Sequence, residues 1–439
     1  MGHRKPIIDM KIFSDRRRML GQQIDGSALL IAANPEYIRN HDVEYPYRQD
    51  SNFFYLTGFE EPESFFLFRP GRDPQTVMFV RKKDIEMETW TGFRYGPEAV
   101  EKEFKIDKVY PIDEFEKVAP DLLKGIETLY YRLYKNPEAD AQVQKVLEKT
   151  RKLQGRTGYG LMNIHDADIL VGEMRLIKSD YEIDQIRTAC EISAQGHFAA
   201  MRFVRPGVTE RQVQGVLAHH FFMKGSQREG YNYIVASGAN ATTLHYNFND
   251  QVCKPGDLLL IDAGAEYNYY TGDITRTFPV SGSFTEIQAQ VYQGVLDVQK
   301  AIIDMIKPGV VFKDLHEAGT SLLTDLILEL GLLSGRKEDI IKANQHKKYY
   351  PHGIGHWLGM DVHDAGLYFK KDIPRPIEAN MVFTVEPGLY IPFDDHSAPA
   401  NMRGIGIRIE DNIRVLPSGS ENLTISAPKE IADLANIKP

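Results

Sequence analysis

The chain has 439 residues, 42% of them hydrophobic and 26% charged, and a net charge of −9 at pH 7. Its length predicts two or three domains, and its acidic balance argues against nucleic-acid binding, which needs a basic face. No apolar run approaches the roughly 18 residues of a membrane helix, so we expect no membrane association. The two cysteines, Cys190 and Cys253, exclude a disulfide framework and fit a reducing compartment. We therefore expect a cytoplasmic protein.

The first 175 residues predict an α/β domain without a chemical site. A helix is expected from near Ser14, a residue type that caps helix N-termini. The apolar run 28–33 predicts a buried strand, and the runs 64–68 and 76–80 predict two strands joined by a Pro-Gly turn. Further elements complete this half: helices near 98–104, 113–124 and 137–153, and a strand at 128–133.

A domain boundary is predicted at 174–178, which gives domains at 1–175 and 176–439. The pattern Ser179-x-x-Glu182 predicts a capping box that opens a long helix through about Phe203. The pattern Thr209-x-x-Gln212 caps the next helix. About one hundred residues later this helix pair recurs, with one helix from near Thr285 and another from about Asp314, which gives a weak internal repeat. Two similar α/β halves predict a pseudo-two-fold arrangement in the second domain.

Each half of the repeat supplies two acids. Asp262 ends an apolar strand, and Asp273 follows eleven residues later, where an antiparallel return can bring both carboxylates to one face. Glu386 and Glu410 occupy the corresponding positions of the second half. Buried acids that repel one another are costly unless a cation or a salt bridge neutralises them. Nearby arginines, Arg276 and Arg408, could provide salt bridges for one or two of the acids, but a metal site explains all four.

Three histidines fall within twelve positions, interleaved with glycines: His352, His356 and His363. Histidine is the commonest metal ligand and the usual acid or base near neutral pH. Four carboxylates with one imidazole suit Mn²⁺ or another first-row divalent ion, with Zn²⁺ and Co²⁺ as alternatives. Because four carboxylates carry a charge of about −4, two divalent ions would neutralise them and form a hydrolytic centre.

Several motifs resemble those of the aminopeptidase P family, the Xaa-Pro aminopeptidases of the pita-bread metallopeptidases. These are IDAGAEYNYYTGDITRTFPV, HGIGHWLGMDVHD, TVEPGLY, RGIGIRIEDN and, in the first half, EYPYRQDSNFFYLTGFEEPES. The segment VGEMRLIKS also resembles a family motif, with Gly172 in the place of a histidine. The resemblance spans nearly the whole chain. It implies an α/β (α+β) fold, with an N-terminal creatinase-type domain before a pita-bread catalytic domain.

The resemblance also assigns roles to residues. The implied metal ligands are Asp262, Asp273, His356, Glu386 and Glu410. Asp273 and Glu410 would bridge two ions, which we expect to be Mn²⁺. A bridging hydroxide would attack the carbonyl before proline, and Glu386 would take its proton.

Other residues match the substrate side of the family's site. His245 and His363 would stabilise the tetrahedral intermediate and contact the scissile amide, and His352 would line the proline pocket. Tyr390 and Arg408 would connect to the metal carboxylates. Trp90, in TWTGFRYG, matches an aromatic that reaches a neighbouring active site in oligomeric relatives, which implies a homo-oligomer, a dimer or a tetramer.

The implied activity is release of the N-terminal residue from peptides with proline in second position. The nearest alternative is a prolidase that accepts only Xaa-Pro dipeptides. Methionine aminopeptidases usually lack the large first domain. An alternative of a different class is a non-catalytic pita-bread protein that binds peptides or partners. Such relatives have usually lost metal ligands, as creatinase-like enzymes have, whereas this sequence retains the full set.

Overall fold

The computed structural model describes residues 6, 8–157 and 159–437. The chain divides into two compact units, Met1–Met174 and Arg175–Pro439. No helix in these described ranges combines the length and apolar character that a bilayer crossing requires.

The first unit contains a mixed six-stranded sheet with helices. Its helices are α1 Met10–Gly21, α2 Ser51–Thr57, α3 Ile85–Thr91, α4 Gly96–Glu103, α5 Phe115–Leu122 and α6 Pro137–Gln154. Its strands are β1 Ala28–Ala32, β2 Ile38–Asn40, β3 Val43–Glu44, β4 Phe65–Phe68, β5 Thr76–Val80, β6 Lys108–Pro111, β7 Thr128–Tyr130 and β8 Asn163–His165. The sheet order is β6-β5-β4-β1-β7-β8, and β2 and β3 form a separate hairpin.

The apolar runs of the first unit lie where the sequence predicts them. Strands β4 and β5 pair antiparallel and are buried throughout, which explains their nearly continuous hydrophobic sequence. The predicted start of the first helix is wrong. The helix begins at Met10, because the side chain of Asp9 accepts a hydrogen bond from the Lys11 amide and caps it. Ser14 lies one turn inside and donates its hydroxyl hydrogen to the Met10 carbonyl instead.

The second unit begins within α7 Ala167–Leu176, which crosses the boundary between the units. Its other helices are α8 Asp180–Phe203, α9 Glu210–Met223, α10 Glu286–Met305, α11 Phe312–Glu329, α12 Lys337–Lys342 and α13 Ile431–Asn436. Its first strands are β9 Arg228–Glu229, β10 Ile234–Ser237, β11 Leu258–Asp262, β12 Ala265–Tyr267, β13 Tyr270–Thr271 and β14 Thr275–Pro279. The later strands are β15 Phe369–Lys370, β16 Ile373–Pro374, β17 Val382–Val385, β18 Gly388–Tyr390, β19 Gly406–Arg408, β20 Asp411–Val415 and β21 Ser420–Asn422.

Three helices of the second unit start where the sequence predicts them. Complete capping boxes begin α8, α9 and α10 at Ser179, Thr209 and Thr285. Each box satisfies backbone amides that have no partner within the helix. Helix α8 packs on α9 and α10 on α11, so the two halves of the repeat each contribute a helix pair.

Two antiparallel sheets of three strands match the two halves of the repeat: β10-β11-β14 and β17-β20-β21. In the first sheet Asp262 pairs with Thr275, and in the second Val385 pairs with Asp411. Each register therefore brings the two acids of its half to the same end of a strand pair. The Glu410 amide donates to the Thr275 carbonyl at 3.1 Å and connects the two halves.

Candidate active site

Four acidic side chains from the two halves converge on one cavity, and we call them the carboxylate floor: Asp262, Asp273, Glu386 and Glu410. The cavity has a volume of about 590 Å³, in the range of small-ligand sites. Asp273 and Glu410 are almost completely buried. The structure therefore brings the four acids together as predicted. Each acid lies at or close to a strand end, so the strand positions its backbone.

Neutral side chains form hydrogen bonds with the acids of the carboxylate floor or with their backbone. The Tyr231 hydroxyl lies 2.7 Å from Asp262 Oδ1 and also contacts Asp273. Thr275 donates its hydroxyl hydrogen to Glu410 at 2.7 Å. The Asn412 carboxamide accepts a hydrogen bond from the Asp273 amide at 2.9 Å and donates to the Asp273 carbonyl. Sequence reasoning missed Tyr231, Thr275 and Asn412, since nothing in their local sequence indicates these contacts.

Burial disfavours the charged form of these acids. Burial raises the pKa of Glu410 well above its ordinary value, and the charges of Asp273 and Glu386 add to the rise. Burial also raises the pKa of Asp273, against a hydrogen bond from His356. It raises the pKa of Glu386 to about 7, while His356 and Arg408 oppose the shift. Without a bound cation, His356 and Arg408 therefore compensate the negative charge of the carboxylate floor only in part.

His356 is oriented for metal binding. Its Nδ1 lies 3.1 Å from the Trp357 carbonyl, which can only accept a hydrogen bond, so Nδ1 carries the proton. The Nε2 atom consequently faces the floor, 3.4 Å from oxygens of Asp273 and of Glu386. A second group that fixes the tautomer in this way is typical of histidine metal ligands. Burial lowers the pKa of His356, but these two carboxylates more than offset it and raise the pKa to about 9.

The donor set fits divalent metal ions. Ligand atoms of Asp273, His356 and Glu410 lie within 4.8 Å of one another. Asp262 and Glu386 line the same cavity. Several buried carboxylates with one imidazole form a mostly hard donor set, and a cation would remove both the repulsion between the acids and the rise in their pKa values.

Arg408 forms a salt bridge with one of the four acids, which is the alternative that the sequence left open for one or two of them. Its Nη2 lies 2.7 Å from Asp262 Oδ2, and its Nη1 donates to the Tyr390 hydroxyl at 3.0 Å. The other candidate, Arg276, forms its ion pair with Asp411 at 2.6 Å, and it reaches Glu410 only at the backbone carbonyl. Asp262 is thus neutralised in part by Arg408, and Asp273 has His356 Nε2 at 3.4 Å, whereas Glu410 forms no ion pair among the described residues.

A hydrogen-bonded chain leads from Arg408 to His352. The His352 Nδ1 lies 2.8 Å from the Gly353 carbonyl and must donate to it, so Nε2 is free to accept. The Tyr390 hydroxyl lies 2.8 Å from this Nε2 and supplies the proton of that bond. Burial, with the nearby Arg408 charge, lowers the pKa of His352 to about 3. His352 therefore remains neutral at physiological pH.

Three histidines line the cavity beside the carboxylate floor, and we call them the histidine rim: His245, His352 and His363. The rings of His363 and His356 lie edge to face with centroids 4.3 Å apart. Burial, followed by the nearby His356, lowers the pKa of His363. In the part of the chain that the structure describes, the imidazoles of His245 and His363 make no hydrogen bond to protein. Both are therefore available to a ligand.

Two glycines are required by the close approach of backbone segments. A Cβ atom on Gly355 would lie 1.9 Å from the Thr384 carbonyl oxygen, and one on Gly264 would lie 1.8 Å from the Gly272 carbonyl oxygen. Gly355 lets the histidine segment lie directly against β17, where the Thr384 amide donates to the His356 carbonyl at 2.9 Å. This explains the glycine spacing in HGIGH, a segment that is not helical.

Trp90 is the one predicted site residue outside this constellation. It lies in α3 of the first unit and is 81% exposed. The other ten predicted residues belong to the second unit, where nine line the cavity and Tyr390 contacts two of those nine.

Comparisons with known proteins agree with this geometry. Residues 184–417 match the model of metallopeptidase family M24, and residues 13–130 match the aminopeptidase P N-terminal domain. The chain is 40% identical to the Xaa-Pro aminopeptidase of Haemophilus influenzae, covering 97% of this chain and 96% of that protein. It is 41% identical to the Xaa-Pro aminopeptidase of Escherichia coli, covering 96% of each.

Solved structures give the same result. Aminopeptidase PepP of Pseudomonas aeruginosa superposes with a TM-score of 0.94 at 40% identity, covering 98% of each chain. Zinc-substituted aminopeptidase P of Escherichia coli in complex with product gives a TM-score of 0.93 at 40% identity, again covering 98% of each chain. The predicted fold class, a creatinase-type α/β domain followed by a pita-bread domain, is confirmed. The chain belongs to metallopeptidase family M24.

Proposed function

We propose that the protein is a metal-dependent aminopeptidase that releases the N-terminal residue from peptides with proline in second position. The observation that carries this proposal is the complete set of four acids and His356 around one cavity that also contains the histidine rim. The full-length similarity to proteins named Xaa-Pro aminopeptidase supports the substrate class. The retained donor set disfavours a non-catalytic binding protein.

The proposed cofactor is a pair of Mn²⁺ ions. The ligands would be Asp262, Asp273, His356, Glu386 and Glu410, with Asp273 and Glu410 shared between the ions. Support comes from the hard donor set and from the excess negative charge of the carboxylate floor. Bound ions would supply an activated water and polarise the substrate carbonyl.

Protein groups would then move protons and hold the substrate. Glu386, with a pKa of about 7 in the metal-free protein, would accept the proton of the attacking water. His245 and His363 would donate hydrogen bonds to the carbonyl oxygen and the scissile amide, where charge develops. Neutral His352, fixed by Tyr390, would line the proline pocket.

The remaining proposals concern organisation. The domain assignment of 1–175 and 176–439 is supported by the division after Met174 and by the two family-model matches. A cytoplasmic location is supported by two buried, unpaired cysteines. A homo-oligomer in which Trp90 contacts a neighbouring subunit is supported by the exposure of Trp90 and by the family resemblance. The mass of the assembly in solution, with and without Trp90→Ala, tests the last proposal.

Peptide length decides between the two catalytic functions. Initial rates would be measured for Xaa-Pro dipeptides and for Xaa-Pro tripeptides and longer peptides, in a titration with Mn²⁺ after metal removal. We expect metal-dependent release of the first residue from the longer peptides. A strong preference for the dipeptide would identify a prolidase instead, and metal-independent function would favour a non-catalytic or creatinase-like protein.

A further inference from the structure

A buried acid outside the cavity organises the segment that carries His245. Glu210 is the first residue of α9 and has no solvent exposure. No lysine, arginine or histidine in the described ranges forms an ion pair with it. A buried carboxylate without an ion pair is costly unless hydrogen bonds satisfy its oxygens. Its donors therefore indicate what this acid does.

All donors to the Glu210 carboxylate come from the last residue of β10 and from the segment that follows it before β11. Oε1 accepts from the Ser237 amide and hydroxyl, both at 2.7 Å, and from the Asn240 side chain at 3.0 Å. Oε2 accepts from the Tyr246 hydroxyl at 2.8 Å and from the Gln251 amide at 3.0 Å. The carboxylate thus contacts the start, the middle and the end of residues 237–251, which we call the Glu210 loop.

The middle contact lies next to the histidine rim. Tyr246 follows His245 directly, and its ring is buried with Ile234 and Leu260. His245 is exposed to the cavity, and its imidazole has no hydrogen-bond partner in the described protein. Because its own side chain is not anchored, the position of this imidazole depends on its backbone. That backbone is held through the neighbouring Tyr246.

We infer that Glu210 is a positioning residue for His245, which rests on the proposed function of His245 in contacting substrate. The carboxylate acts through Tyr246 and the Glu210 loop and does not touch the cavity lining itself. A displacement of about 1 Å in a reacting group can lower a rate on the order of 100-fold. A remote anchor of this kind can therefore limit turnover without altering the carboxylate floor.

Glu210→Gln is the sharpest variant because it preserves size. An amide has one accepting oxygen, so whichever way it turns, its NH₂ group faces at least two of the five former donors. The Gln251 amide and Ser237 amide cannot accept from it. In the metal-loaded, full-length enzyme, we expect kcat on an Xaa-Pro tripeptide to fall on the order of 10- to 100-fold. The metal content per chain should equal that of the wild type.

A double-mutant cycle with His245→Ala separates positioning from general stability. If Glu210 acts through His245, adding Glu210→Gln to His245→Ala should lower kcat by no more than about twofold, since coupled residues are non-additive. The same loss in both backgrounds would overturn the inference. The matched control is Gln212→Ala, which removes the other half of the cap at the same helix end. It should lower the melting temperature without changing kcat.

The remaining outcomes are distinct. Wild-type activity of Glu210→Gln beside an impaired His245→Ala would overturn the inference alone. Wild-type activity of His245→Ala would overturn the proposed function of His245 together with the inference. If Glu210→Gln does not fold, Tyr246→Phe takes its place. This variant should keep its metal and lose roughly 10-fold in kcat, as expected of a lost outer hydrogen bond, and an unchanged kcat would overturn the inference.

Discussion

The carboxylate floor and the histidine rim are built in different ways. The four acids of the floor lie at strand ends. Direct hydrogen bonds from Tyr231, Thr275 and Asn412 fix three of them or their backbone, and Thr384 donates to the fourth, Glu386, at 3.3 Å. His245 and His363, two members of the rim, lie in irregular segments and make no hydrogen bonds of their own within the described chain. The floor is therefore specified locally by the sheet, whereas the rim depends on anchors farther along the chain.

Two segments of the rim are anchored by buried acidic side chains. The segment with His245 is held by Glu210, and the segment with His363 is held by the next residue, Asp364. Asp364 accepts a hydrogen bond from Lys178 at 3.1 Å and another from Arg175, and the three side chains are almost fully buried. Changes at the floor should consequently affect the metal, and changes at the anchors should affect turnover or stability.

Loss of a floor acid should have the largest effect. Asp262→Ala removes a proposed metal ligand and also leaves Arg408 without its partner at 2.7 Å. Metal ions contribute several kcal/mol to stabilising a transition state, and about 1.4 kcal/mol corresponds to a factor of ten. We expect a loss of about 1000-fold or more in metal-dependent kcat/KM. A rate equal to that of the wild type would remove Asp262 from the site, and the exposed Asp433→Asn serves as the control.

Loss of the Asp364 anchor should mainly reduce stability. Removing one partner of a buried ion pair leaves an uncompensated charge, which costs about 3–5 kcal/mol. Asp364→Asn should lower the free energy of unfolding by about this amount in urea titrations. Asp361→Asn is the matched control, because Asp361 contacts the same Arg175 at 2.7 Å but its side chain is 40% exposed. A control effect as large as that of Asp364→Asn would contradict the account.

Removal of one hydroxyl should weaken the link from the floor to the rim. Tyr390→Phe breaks the chain between Arg408 and His352 without changing a proposed ligand. Such outer contacts are typically worth 10- to 100-fold, and we expect a fall of about 10-fold in kcat/KM with metal content retained. Tyr233→Phe is the control, because its buried hydroxyl has no partner in the described protein. Equal activity of the two variants would show that the hydrogen bonds from Tyr390 to Arg408 and His352 do not contribute to catalysis.

The free energy of unfolding should depend on pH through His197, which lies next to the carboxylate floor. His197 is fully buried and its Nε2 contacts the Ala263 carbonyl at 2.9 Å, next to Asp262. Burial lowers the pKa of His197 to about 4, against about 6.5 when unfolded. The unfolded chain therefore binds the proton first, and stability falls as the pH drops below 6.5 and levels off below 4.

The contribution of His197 to the pH dependence of stability is the difference between the wild type and His197→Gln. Between pH 7 and pH 5.5 the metal-free protein should lose about 1 kcal/mol more unfolding free energy than His197→Gln, which cannot titrate. The measurement is urea unfolding of both proteins at each pH. Identical pH profiles for the two proteins would mean that His197 is not buried as a neutral group.

The floor could be predicted from sequence because its signals are local. Apolar strands that end in acids, and their recurrence in two halves, indicate Asp262, Asp273, Glu386 and Glu410 without tertiary information. The partners could not be predicted in this way. Asn412 contacts Asp273 across 139 positions, and such a contact depends on the packing of two sheets.

The histidines of the rim could be predicted, but the residue that anchors His245 could not, because its contacts are also long-range. Glycine spacing and family motifs indicate the histidines, but Glu210 looks like an ordinary acid in the first turn of a helix, where acids are favoured. Its burial and its five donors become visible only in three dimensions. The early helix start shows a related limit: Asp9 and Ser14 are both residue types that cap helices, and the prediction wrongly chose Ser14.

Metal content most directly tests the division between the proposed metal ligands, which include His356, and the histidine rim. Wild type, His356→Ala and His363→Ala would be loaded with Mn²⁺ under identical conditions, and the metal bound per chain would be determined by elemental analysis alongside kcat. We predict that His356→Ala binds less metal, whereas His363→Ala retains the wild-type content and loses turnover. Loss of metal in His363→Ala, or a wild-type metal content in His356→Ala, would contradict the account.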